Sequence, residues 1–81
     1  MGEQVRFTRH ARNRLRLYAL GEADVLAALS APAGSAPSVK GRTNTWAECA
    51  GEWLRVTWIK EVGGVTVITV TPFAHQPRRE E

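Results

Sequence analysis

Apolar and polar positions change their period once along this chain, and the change divides it into a helical half and a sheet half. Val5-Arg6-Phe7 alternates and predicts a short strand, after which Thr8 offers a hydroxyl suited to capping a helix. Arg9 to Tyr18 holds no Gly or Pro and predicts a first helix. On it Ala11, Leu15 and Tyr18 form a narrow apolar face, Arg9, Arg12, Asn13 and Arg16 lie opposite, and His10, Arg14 and Leu17 fall on the border. A second helix is expected from Gly21 or Glu22 to Ser30, with Glu22 and Asp24 at its positive end and Val25, Leu26 and Leu29 as its buried stripe. Ala31-Pro32-Ala33-Gly34-Ser35-Ala36-Pro37 reads as a mobile loop that stops this helix.

From Ser38 onward the period is two. Strands are expected over Thr43–Cys49, Trp53–Lys60 and Val65–Thr71, with turns at Ala50-Gly51 and Gly63-Gly64, and such short connections favour an antiparallel meander. Leu54, Val56 and Trp58 share the face that the helices must cover, which leaves Trp53, Arg55, Thr57 and Ile59 on the other. In the last strand Ile68 and Val70 oppose Val67, Thr69 and Thr71, so the uncovered face is expected to be rich in threonine around Arg55. Trp46 is set against Arg55 by a two-residue turn and against Leu54 by a three-residue turn with a bulge, and its face stays open between the two. The predicted fold is α+β: a short N-terminal strand and two helices packed on one face of a three- to four-stranded antiparallel meander. Residues 1–72 form the single domain and residues 73–81, with Pro77, a flexible tail.

Composition narrows the class. With 81 residues there is room for one core, and 43% hydrophobic against 23% charged residues marks a globular chain whose apolar runs are too short to span a bilayer. Met1-Gly2-Glu3-Gln4 is polar, so secretion is not expected. Cys49 is alone, which excludes an internal disulfide and a multi-cysteine metal site. It reads as a small buried hydrophobe in a cytoplasmic protein. Charge is unevenly spread. In residues 1–17 five arginines face Glu3 alone, a local balance of +4, whereas six basic and seven acidic residues leave the remainder at −1. The positive field therefore belongs to the first helix, as suits a surface that meets RNA or an acidic protein.

No glycine-rich phosphate loop, His-Glu-x-x-His, nucleophile elbow or metal-ligand spacing occurs, so neither a metal nor a cofactor is expected. One longer pattern does stand out. Thr8-x-His10-Ala11-x-x-Arg14-Leu15, followed by Leu20, Asp24-Val25, Gly41-Arg42, Leu54-Arg55-Val56 and Val67-Ile68-Thr69-Val70, resembles a bacterial family of unknown function over nearly the whole chain. That family opens with Ser or Thr-x-His-Ala-x-x-Arg-Met and ends in two strands similar to Leu-x-Val-Val and Val-Ile-Thr-Val. Tyr18-Ala19 departs from its Arg-Gly at the helix junction. The family in turn resembles the RelE, ParE and BrnT class of toxins, in which helices cover one face of a small antiparallel sheet. RelE-type members act on messenger RNA at the ribosome through the other face and the C-terminal segment.

The resemblance implies a toxin of a toxin–antitoxin pair, a metal-independent endoribonuclease acting on RNA. By analogy of position Glu48 is the base, Arg55 the phosphate ligand and His75 the acid. The plain alternative for Glu48 and His75 is a solvated side chain. Arg9, Arg12 and Arg16 are either a solvated face or a surface for RNA phosphates or an acidic antitoxin-like protein. Arg55 amid Trp53, Thr57 and Thr69 is well placed to bind phosphate, and Trp53 suits stacking on a base or burial against a partner or a second copy in a homodimer. His10 and Arg14, an i, i+4 pair, read as a structural pair or as part of a site. The alternative functions are a non-catalytic RNA- or protein-binding module of the same fold and a family member that has lost catalysis.

Overall fold

In chain order the computed structural model has β1 (Gln4–Phe7), α1 (Arg9–Leu17), α2 (Glu22–Ser30), β2 (Gly34–Pro37), a 3₁₀ turn (Val39–Gly41), β3 (Thr43–Cys49), β4 (Glu52–Glu61) and β5 (Gly64–Phe73). It describes residues 4–49 and 51–73, at Cys49 and Phe73 the backbone alone. His75, most of the expected tail and the side chain of Cys49 lie outside the described residues. The fold is α+β, with both helices against a five-stranded mixed sheet in the order β1-β5-β4-β3-β2.

The sheet is larger than the sequence pattern predicts and is not wholly antiparallel. β1 runs parallel to β5, with Val5 opposite Val65 and Phe7 opposite Val67. Gly34–Pro37, expected to be loop, is an edge strand antiparallel to β3. Its Gly-Ser-Ala-Pro composition carries no strand signal, and the ladder exists because β3 offers it a row of backbone partners. Pro37 is tolerated at the end of such an edge.

Cys49 pairs with Glu52, so the β3–β4 connection is a two-residue turn, and Trp46 faces Arg55. At the β4–β5 turn Glu61 pairs with Gly64, and Gly63 takes φ +83°, a left-handed conformation that only glycine adopts without strain.

α1 lies over β5 and β1, α2 over β3 and β4. Between helices and sheet Ala11, Leu15, Val25, Ala28, Ala47, Leu54, Val56, Val67 and Val70 are buried, bordered by Val5, Phe7, Leu20, Leu29 and Trp58. Each large aliphatic side chain so placed stabilises the fold by about 1.5–3 kcal/mol. Two expected faces are corrected. Val67 belongs to this core, because Thr57 pairs with Thr69 but Trp58 with Val67. Ile68 is thus a bulge residue that resets the alternation. On α2 the stripe is Val25, Ala28 and Leu29, while Leu26 remains 42% exposed. The small Ala28 lets the helix approach the sheet.

Thr8 joins β1 to α1 and does two jobs. Its Oγ1 accepts the Ala11 N–H at 3.0 Å as the helix cap and donates to the Ile68 carbonyl at 3.1 Å. At the other end the Leu20 N–H reaches the Leu15 carbonyl at 2.8 Å around Ala19, whose φ is +58°. α2 opens with Asp24 Oδ2 accepting the Gly21 N–H at 2.9 Å. Among the described residues no helix is long and apolar enough to cross a membrane.

Candidate nucleic-acid interface

Strand alternation sends one set of side chains away from the helices, and the register arranges them in ranks. Glu48 lies beside Trp53; Trp46, Arg55 and Thr71 form the next rank; Asn44, Thr57 and Thr69 form the third. Arg55 therefore has Trp46 and Thr71 as cross-strand neighbours and Trp53 and Thr57 two residues away on its own strand, all on one face. The sequence left Trp46 undecided and passed over Asn44. The length of the turn after Cys49 was the deciding signal for both.

This face is less open than expected. Trp46, Trp53 and Arg55 are half-buried, Thr57 is 8% exposed, and Arg55 Nε is closed off from solvent. Trp46 lies flat over the edge strand, where a Cβ added to Gly34 would stand 2.9 Å from its Nε1. Thr57 Oγ1 donates to Asn44 Oδ1 at 2.7 Å, so its hydrogen is already committed within the sheet. A guanidinium set among two indoles and threonine hydroxyls can offer parallel N–H donors to a phosphate while the indoles take bases by stacking.

The other candidates sit on α1. Arg9, Arg12, Asn13 and Arg16 are exposed, a basic face turned to solvent. His10 and Arg14 diverge instead of acting as a pair. His10 Nε2 lies 3.1 Å from Thr69 Oγ1, whereas Arg14 Nη1 donates to Tyr18 Oη at 3.3 Å and holds its Cζ 6.0 Å from the Tyr18 ring centroid. Because Thr69 points away from the helices, this contact brings the first turn of α1 to the margin of the face that carries Arg55. Glu48 is exposed on that face, diagonally next to Arg55. The position of His75 relative to them lies outside the described residues.

On the helix side the third tryptophan has a structural part. Trp58 Nε1–H donates to Thr45 Oγ1 at 2.9 Å, which also meets Ser35 Oγ at 2.8 Å. These groups line a groove of about 250 Å³ with Val5, Leu29, Pro32 and Val65. Among the described residues no three His, Cys, Asp or Glu side chains come together as metal ligands. Comparison with protein-family models, with curated proteins and with solved structures gave no match.

Proposed function

We propose that the protein is a toxin-like protein of the RelE, ParE and BrnT kind that takes single-stranded RNA on the sheet face away from its helices. On this reading it cleaves the RNA as a metal-independent endoribonuclease. The observation that carries the reading is Arg55, half-buried on that face between Trp46 and Thr71 on the neighbouring strands and flanked along its own strand by Trp53. A cation among stacking platforms is what a ribose–phosphate chain with unpaired bases requires. Exposed Arg9, Arg12 and Arg16 on α1 add a field that draws a polyanion and makes affinity fall with salt. Cleavage, as against binding alone, is supported by Glu48, a carboxylate on the same face and diagonal to the phosphate ligand.

The test is binding and cleavage of fluorescent single-stranded RNA by wild type and Arg55→Ala. Loss of one charge-assisted phosphate contact, about 1.5–3 kcal/mol, predicts affinity lower by roughly 10- to 100-fold and cleavage lost with it. Wild-type protein that neither binds nor cuts RNA contradicts the proposal. Binding without cutting leaves the non-catalytic module.

A further inference from the structure

We infer that His10 is the acid that protonates the departing 5′-oxygen, so that base, phosphate ligand and acid lie along one diagonal of the sheet face: Glu48, Arg55, His10. The inference rests on the endoribonuclease reading above and deepens it, giving to α1 a role that the C-terminal segment was expected to fill.

The register supplies the line. Arg55 stands opposite Trp46 on β3 and Thr71 on β5. Glu48 lies two residues from Trp46 toward the Trp53 rank, and Thr69 lies two residues from Thr71 toward the Thr57 rank. Both are diagonal neighbours of Arg55, on opposite sides of it, at separations of about 7–8 Å each, somewhat less between Cβ atoms. A phosphodiester held by Arg55 therefore has a carboxylate on one flank and Thr69 on the other.

The chain path then brings the imidazole to Thr69. β1 accompanies β5 only as far as Phe7 opposite Val67, and the Thr8 N–H bonds the Val67 carbonyl. Thr8 Oγ1 takes the next carbonyl, Ile68, and α1 begins at Arg9 alongside the stretch of β5 that β1 does not reach. His10, exposed in the first turn, comes within 3.1 Å of the Thr69 hydroxyl. Thr69 is the positioning residue: it fixes the ring at the rim, where a bound RNA would pass. An imidazole has two ring nitrogens, so one can meet Thr69 while the other faces a departing oxygen.

The step balances without a further reactant. Glu48 takes the proton of the 2′-hydroxyl, the 2′-oxygen forms a bond to phosphorus, and the bond from phosphorus to the 5′-oxygen breaks. That oxygen receives a proton from the His10 imidazolium. The products are a 2′,3′-cyclic phosphate and a 5′-hydroxyl end, and the two side chains re-equilibrate their protons with water.

The test uses full-length protein and oligonucleotides carrying one ribonucleotide of each base in turn, with either oxygen or sulfur as the bridging 5′ atom. A thiolate leaves without protonation. His10→Ala should slow cleavage of the oxygen substrate by about 10²- to 10⁴-fold and leave the sulfur substrate nearly unaffected, whereas Glu48→Gln should be slow on both. Thr69→Val, which keeps the imidazole but releases it, should show a smaller loss with the same sulfur rescue. Equal cleavage of the oxygen substrate by wild type and His10→Ala overturns the assignment of the acid and leaves the endoribonuclease reading standing. Equal slowing of both substrates in a folded His10→Ala protein does the same. Wild-type protein that cuts neither substrate removes the reading itself.

Discussion

Ala19 shows how a single position can be suboptimal in its fold and still be tolerated. It closes α1 at φ +58°, where a Cβ is crowded against the backbone. Ala19→Gly relieves roughly 1–2 kcal/mol of left-handed strain and gives back part of that as greater freedom of the unfolded chain. The expected net gain is about 0.5–1 kcal/mol in urea unfolding, with an unchanged slope; a loss would mean that the turn has another origin. Residue-scale signals were otherwise well legible. Thr8 announces a cap and is one, and Asp24 announces a favourable first turn and bonds Gly21. Trp46 was not legible, because its face depends on whether one turn holds two residues or three. The Cys49–Glu52 pairing decides that only once the hairpin has formed.

Elements were legible where their own pattern fixes them and illegible where a neighbour does. β3 was expected over Thr43–Cys49 and has those bounds, since its alternation, the turn beyond it and its strand formers agree. β2 exists only through pairing with β3, so Gly34–Pro37 contains nothing to announce it. The Ile68 bulge is likewise invisible to a period of two, and it moved Val67 from the outer face to the core. On α2, Leu26 was expected inside by hydrophobicity alone, yet Ala28 is the residue that fits between helix and sheet. Two truncations separate these cases. Leu54→Ala, at a position with no exposed surface, should destabilise by about 2–5 kcal/mol, while Leu26→Ala should change stability by no more than roughly 0.5 kcal/mol. Comparable losses from both would contradict the corrected helix face.

At the scale of the whole molecule the architecture separates two surfaces. The helices pack on one side of the sheet and leave on the other a half-buried arginine among tryptophans and threonines, with the first turn of α1 reaching its margin at Thr69. Strand period alone put Trp53, Arg55, Thr57, Thr69 and Thr71 on that face, where the register has them. The link to His10 was beyond its reach, because it requires β1 to stop short of the end of β5 so that a helix can start beside it. RNA docking on this face is the central claim, and the three tryptophans report on it independently. Trp46 and Trp53 belong to the proposed face, whereas the Trp58 indole N–H is held by Thr45 on the helix side. In a titration of isotope-labelled protein with single-stranded RNA, the indole N–H resonances of Trp46 and Trp53 should shift or broaden while that of Trp58 stays in place. Movement of the Trp58 signal with the other two unchanged would contradict the account.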